Sequence, residues 1–188
     1  MTDKSVIPLE RRLNEAYIGL VLREPSRRSH DWGKGVPNRV ILLGAGTFVK
    51  LQHRAEDILG EEASGVFYEA GIESGKEAVE TFFEEKDVRG LELFELMIQI
   101  TDASGIGWFK LIDYNIKENY SGYITISQSF IAETYRDWKG KTNHPVCHFI
   151  GGFLAGCLEG IFRIPVACEE TKCYAMGNEY CEFHFEPV

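Results

Sequence analysis

The position of the cysteines restricts the fold of this chain more than any other sequence feature. The chain has 188 residues, and its five cysteines all lie between residues 147 and 181. An odd number of thiols in one short segment cannot pair completely as disulfides, so in a reducing compartment the pattern indicates metal or thiol chemistry. The five are Cys147, Cys157, Cys168, Cys173 and Cys181.

The composition, with 44% apolar and 26% charged residues, is typical of a soluble globular domain. A chain of this length can bury a core without help from a metal, so any metal is expected to act locally. The formal net charge of -9 repels nucleic-acid phosphates and anionic lipids, and we expect no nucleic-acid or membrane partner. Neither a secretory signal nor an apolar run long enough to cross a bilayer is recognisable, so a cytoplasmic location is predicted.

Residues 1–37 are predicted to form a helical arm and a basic linker outside the main domain, which we place at 38–188. From Leu9 to Leu22 the apolar residues recur at steps of three and four, as on one face of a short helix. Residues 23–38 then combine two prolines, two glycines and four Lys or Arg side chains, which is typical of a solvated connection.

The first part of the main domain is predicted to be helical. The segment VILLGAGTFV carries Gly44 and Gly46 as a dinucleotide-binding turn does, but Val49 stands where that motif needs its third glycine. A helix that ends near Gly60 fits the apolar spacing better. Its expected apolar stripe is Val40, Leu43, Phe48, Leu51, Ala55 and Ile58.

Two further helices are predicted before residue 104. Ser74 and Glu77 have the spacing of a capping box, so one helix is expected to begin there. The other is expected around residues 91–98. Beyond Gly107 apolar and polar residues alternate, which predicts two antiparallel strands joined by the turn KENYSG.

The tail is predicted to begin with a helix from about Cys147 to Arg163. Three glycines four residues apart lie in one line along it, which indicates that the sheet, a symmetry mate or a ligand approaches the backbone closely. After Pro165 we expect a strand, a turn and a second strand. Cys181 faces inward on that last strand and shares its face with two phenylalanines.

Thiolate and carboxylate groups of this tail are candidate zinc ligands. Cys173 and Cys181 flank a turn that brings them side by side, and Glu170 stands three residues before Cys173. Cys147 is a candidate fourth ligand, because the N–H groups at a helix N-terminus lower a thiol pKa. Glu169 competes with Glu170 for the carboxylate position, and unpaired buried thiols are the alternative to a metal site.

The stretch PVCHFIGGFLAGCLEGIFRIPVACEETKCYAMGNEYCEF resembles the C-terminal signature of the 4-vinyl reductase domain family of archaea and bacteria, and LGEEASGVFYEAGIESG resembles its opening helix. The resemblance implies a mixed α/β (α+β) fold, with N-terminal helices packed on an antiparallel sheet, then a C-terminal helix and a zinc-binding β-hairpin. Distant similarity to trafficking-complex subunits and to haem-NO-binding-like folds is expected with it.

In the phenol-sensing members of this family a zinc ion is held by a cysteine, a glutamate and two further cysteines. By this resemblance the matching ligands are Cys147, Glu170, Cys173 and Cys181. Four protein ligands leave no position for an activated water, which is the mark of a structural zinc site.

The resemblance also implies a small-molecule pocket between the sheet and the helices. Ala103 and Ile126 stand where the phenol sensors hold the ligand hydroxyl with histidine and tryptophan, so an apolar or differently polar ligand is expected. The candidate lining residues are Phe67, Tyr68, Trp108, Phe109, Ile124, Ile126, Phe149 and Phe153.

The sequence therefore favours a sensor or carrier that binds a small apolar or aromatic molecule and contains structural zinc. No catalytic residues are assigned, and enzymatic activity stays open through one alternative, a tetrapyrrole vinyl reductase or its accessory. A dimeric interaction scaffold is the other alternative, and a homodimer is expected in any case. The identities of the ligand and of a downstream partner are not encoded in any recognisable motif.

Overall fold

The computed structural model describes residues 43–85, 89–103 and 108–188. The arm and linker predicted for residues 1–37 lie outside these ranges. None of the helices within them is long and apolar enough to span a bilayer. The elements are α1 Ala45–Leu59, α2 Glu62–Glu85, α3 Gly90–Ala103, β1 Lys110–Ile116, β2 Gly122–Ser127, α4 Phe130–Lys139, α5 His148–Phe162, β3 Val166–Lys172 and β4 Cys181–Pro187.

Helix α1 confirms the helical interpretation of the glycine-containing segment. It begins after Gly44 and ends at Gly60, whose φ of 65° suits glycine. The predicted apolar stripe is wrong in part, because Leu51 and Ile58 are 59% and 79% exposed. The buried face instead contains Val49 and Gln52, since the helix is rotated to pack against α4 and α2.

The predicted helix start at Ser74 is wrong. Helix α2 runs without interruption from Glu62 to Glu85, so Ser74 lies in its interior. Its hydroxyl donates to the carbonyl of Ala70 at 2.8 Å, a local bond that serines make inside helices. The N–H groups nearby already have helical partners, so no cap is needed there.

The sheet confirms the predicted mixed α/β architecture. Its strands are all antiparallel and lie in the order β1-β2-β4-β3. Ile124 pairs with Phe183 and Ile126 pairs with Cys181 across the central strands. These four side chains are buried on one face of the sheet, which α5 covers.

Helix α4 was not predicted from the sequence. It follows β2 directly, and its N-cap is Ser129, whose side chain accepts a hydrogen bond from the N–H of Ala132. Arg136 in its last turns contacts the tail by donating to the carbonyl of Tyr174 at 3.3 Å. The helix thereby connects the end of the sheet to the cysteine-containing turn.

Helices α2 and α5 touch backbone to backbone through glycines. A Cβ added to Gly152 would lie 1.9 Å from the carbonyl oxygen of Tyr68, and one added to Gly156 would lie 2.1 Å from that of Ile72. Glycine is needed where two backbones approach this closely. The glycine row is therefore covered by a helix of the same chain, rather than by the sheet, a symmetry mate or a ligand.

Replacing Gly152 with alanine is expected to lower the free energy of unfolding by about 3 kcal/mol, because the new methyl group would overlap the Tyr68 carbonyl. Gly65 is the matched control on α2, since a Cβ there meets no atom within 4 Å. Gly65→Ala is expected to stabilise the chain by about 1 kcal/mol. Urea denaturation measures both, and a neutral Gly152→Ala would contradict the close approach.

Candidate metal centre

Four side chains able to hold a metal ion converge beside the N-terminus of α5. The sulfurs of Cys147, Cys173 and Cys181 and a carboxylate oxygen of Glu170 all lie within 4.8 Å of one another. The Cys147 and Cys181 sulfurs are 3.9 Å apart, close to the roughly 3.8 Å that tetrahedral zinc imposes on two thiolates. The structure therefore brings together all four residues that the sequence singled out.

A different local structure positions each donor. Cys147 is the N-cap of α5, Glu170 lies in β3 and Cys181 begins β4. Cys173 precedes a short 3-10 turn that ends at Gly177, where φ is 96°. Because side chains rarely adopt this left-handed conformation, glycine allows the chain to reverse and return Cys181 to Cys173.

The structure favours Glu170 over Glu169 as the carboxylate donor. Glu169 is exposed, whereas Glu170 is largely buried and its Oε2 accepts the N–H of Cys147 at 2.9 Å. The other oxygen, Oε1, is buried and has no hydrogen-bond partner among the described residues. A buried carboxylate oxygen is costly unless something satisfies it, so this donor set fits a cation.

The protein environment shifts the pKa values of this cluster in opposite directions. Burial raises the pKa of Cys147 well above its ordinary value, so the expectation that the helix N-terminus lowers it is wrong. Hydrogen bonds from Cys147 and Cys181 lower the pKa of Cys173. Burial raises the pKa of Glu170 to about 8.

Each of the three sulfurs lies within hydrogen-bonding distance of one further O–H or N–H group. Such donors offset the negative charge of thiolates at metal centres. The pairs are Ser129 Oγ with Cys147 at 3.2 Å, the Tyr174 N–H with Cys181 at 3.3 Å and the Val146 N–H with Cys173.

Gln52 also supports the site, although sequence analysis did not single it out. Its side chain is 1% exposed, and its amide donates to the carbonyl of Val146 at 2.9 Å and to Glu56 at 3.0 Å. The first bond fixes the residue immediately before Cys147. The sequence carries no signal for this contact, because Gln52 and Val146 are 94 positions apart.

A group of six aromatic side chains, here called the aromatic cluster, lies near the metal centre. Every member is half-buried, and the rings meet mostly edge to face. Phe48 contacts three of the rings at 5.3 to 5.9 Å, and Trp108 contacts three at 5.1 to 6.5 Å. The members are Phe48, Phe67, Trp108, Phe130, Phe149 and Phe153.

The structure brings only part of the predicted pocket lining into this cluster. Phe67, Trp108, Phe149 and Phe153 belong to it, whereas Phe48 and Phe130 were missed. The other predicted residues lie elsewhere in the packing. Phe109, Ile124 and Ile126 are at most 3% exposed in the core, and the Tyr68 hydroxyl accepts the N–H of Cys168 at 2.8 Å.

Comparison with known proteins finds the vinyl-4-reductase domain, whose family model matches residues 123–187. An uncharacterized protein of Methanocaldococcus jannaschii is 46% identical over 44 residues, which are 23% of this chain and 27% of that protein. The matched segment therefore spans about a quarter of this curated relative.

Three solved structures share the fold over most of their length. The phenol-responsive sensory domain of the transcription activator PoxR, with phenol, has a TM-score of 0.68 at 22% identity and covers 82% of this chain and 78% of that one. A vinyl-4-reductase family protein from M. jannaschii has a TM-score of 0.51 at 23% identity, with 80% and 85% covered.

The third is a trafficking protein particle complex subunit 3 from Naegleria fowleri, covalently bound to palmitic acid. Its TM-score is 0.53 at 13% identity, with 77% of this chain and 95% of that chain covered. The expected likeness to trafficking subunits is thus confirmed at the level of fold. Residues 123–187 form a vinyl-4-reductase domain, which confirms that this part of the chain belongs to the 4-vinyl reductase family predicted from its cysteine-containing tail.

Proposed function

We propose that this protein binds a small apolar molecule, as a sensor or carrier, and that a structural zinc ion holds the binding domain together. The observation that carries the proposal is the aromatic cluster, whose six half-buried rings come from α1, α2, α4, α5 and the residue before β1. Two of its members, Phe130 and Phe149, are close in sequence to residues that contact the metal centre.

The incomplete burial of the cluster supports a ligand site. Elsewhere the large apolar side chains of the core are fully buried, as Ile150, Leu154 and Phe183 show with 0% exposure. Six rings that share a surface but keep contact with water present an apolar area that an apolar ligand can cover. Covering such area is worth roughly 25 cal/mol per Å².

The donor set supports zinc. Three thiols and one carboxylate match the soft and borderline ligands of tetrahedral zinc, and all four positions are protein atoms. When bound, the ion would crosslink the start of α5, β3 and the turn before β4. Cys147, Glu170, Cys173 and Cys181 would hold it, and a closed site of this kind is suited to structure rather than to activating water.

The similarity to PoxR supports a sensor among possible binding functions, because that neighbour is a phenol-responsive sensory domain. The family resemblance places Ala103 and Ile126 where phenol sensors use polar side chains, and Ile126 is fully buried here. We therefore propose an apolar or aromatic ligand other than phenol.

The two alternatives have weaker support in the described residues. The glycine row, which favoured a dimeric scaffold, is covered within the chain by α2. A tetrapyrrole vinyl reductase is suggested only by family resemblance and by a fold likeness at 23% identity. The homodimer and the cytoplasmic location stay predictions, as do the domain limits at residues 37 and 38.

One zinc ion per chain is expected in the purified protein, measured by native mass spectrometry. Glu170→Gln should weaken zinc binding by at least tenfold, because a neutral amide replaces the carboxylate donor. The matched control is Glu169→Gln, which changes an exposed neighbour in the same strand. Equal zinc affinity in the two variants would contradict the assignment of Glu170.

Removing the metal with a chelator is expected to lower the thermal stability of the chain. Zinc at a thousand times its Kd contributes about 4 kcal/mol, which corresponds to roughly 10 °C in Tm for a chain of this size. Cys173→Ser should show the lower Tm without chelator, whereas Cys168→Ser should still respond to it. A Tm that chelation leaves unchanged in the wild-type chain argues against structural zinc.

Toluene is expected to bind the wild-type chain and phenol to bind more weakly, since an unpaired buried hydroxyl costs about 1–3 kcal/mol. Phe67→Ser should reduce toluene binding about tenfold, because it removes a ring of the cluster. Phe162→Ser is the control, as Phe162 is also half-buried and pairs with a single ring, that of Tyr120 at 4.8 Å. Ligand-observed NMR measures both, and equal losses would exclude the cluster as the site.

A further inference from the structure

Ser129 connects the metal centre with a helix that contributes to the aromatic cluster. Its side chain is 1% exposed. The hydroxyl oxygen accepts the N–H of Ala132 at 3.2 Å and lies 3.2 Å from the sulfur of Cys147. One buried hydroxyl therefore serves both as the N-cap of α4 and as a neighbour of a candidate metal ligand.

The direction of these bonds follows from the donor inventory. The Ala132 N–H can only donate, so the serine oxygen accepts it and keeps its own proton free for another partner. Among the described contacts of Ser129, the sulfur of Cys147 is the acceptor within reach. A hydrogen bond to a charged acceptor is roughly twice as strong as a neutral one, so this bond strengthens when Cys147 holds a metal as thiolate.

Two short stretches of backbone lead from this bond to the aromatic cluster. Phe130 follows Ser129, its N–H donates to the carbonyl of Trp108 at 2.9 Å, and its ring lies 5.3 Å from that of Phe48. Phe149 lies two residues after Cys147 in the first turn of α5. Ordering the starts of α4 and α5 thus orders two of the six rings.

We propose that Ser129 couples the two sites, so that metal binding tightens ligand binding at the aromatic cluster and a bound ligand slows loss of the metal. This coupling rests on the proposed function and describes how its ligand site is regulated. The metal supplies the ordering of both helix starts, so the ligand meets rings that are already fixed. The two effects must be equal in size, because coupling between binding sites is reciprocal.

A purely structural role for Ser129 has a different consequence. The cap bond to Ala132 exists with and without metal, so losing it lowers the stability of both forms alike and cancels from the zinc affinity. Only the bond to Cys147, which differs between the two forms, changes that affinity. Zinc affinity therefore separates the proposed role from capping.

The test compares the wild-type chain with Ser129→Ala, Ser129→Gly and the control Ser127→Ala. Glycine is a tolerated N-cap, so Ser129→Gly keeps the experiment informative if alanine impairs folding. Zinc Kd is measured by competition with a chromogenic chelator. We expect it to rise about tenfold in both Ser129 variants and to stay unchanged in Ser127→Ala.

The second measurement is the ratio of toluene affinities with zinc bound and with zinc removed. For the wild-type chain and the Ser127→Ala control we expect zinc to tighten toluene binding at least fivefold, and in the Ser129 variants we expect the ratio to approach one. A wild-type chain that binds both probes while the Ser129 variants keep its zinc Kd and its ratio overturns the coupling alone. A wild-type chain that binds neither probe overturns the proposed function together with it.

Discussion

The close contact between α2 and α5 is the constraint on which the other features of this domain depend. Carbonyl groups of α2 lie where a Cβ of Gly152 or Gly156 would be, and the reverse holds at Gly71, whose Cβ would lie 2.3 Å from the Phe149 carbonyl. Because the backbones touch, side chains at the edge of this contact are forced outward. That places Phe67 of α2 with Phe149 and Phe153 of α5 on one side, while α5 presses its other face on the sheet.

Much of the tail could be predicted from the sequence because its determinants are local. The turn between Cys173 and Cys181 and the alternation along the last strand both lie within a few residues, and they are confirmed. The same alternation distinguishes Glu170 from Glu169, because Glu170 has the parity of the buried Cys168. Chain-local chemistry was therefore enough to identify the candidate metal ligands.

What the sequence missed depends on contacts between distant segments. Gln52 and Ser129 are polar residues whose positions carry no pattern, and their burial follows from partners on α5 and the loop before it. Ser74 shows the opposite error, since a valid capping pattern is overridden when packing against α5 keeps α2 continuous. Rotation of α1 likewise depends on its neighbours, so Leu51 was expected in the core and is exposed.

The overall charge of the chain explains why the metal centre needs its own local partners. Three thiolates and a carboxylate around a divalent ion carry a net charge of about -2, inside a chain whose formal charge is already -9. The field of the whole protein therefore opposes the site, and burial adds a desolvation cost. The donors at Ser129, Val146 and Tyr174 compensate at short range, where the low dielectric of the interior strengthens each hydrogen bond. Because all three donors sit where helices or turns begin, the electrostatics of the centre and the geometry of the surrounding elements are set together.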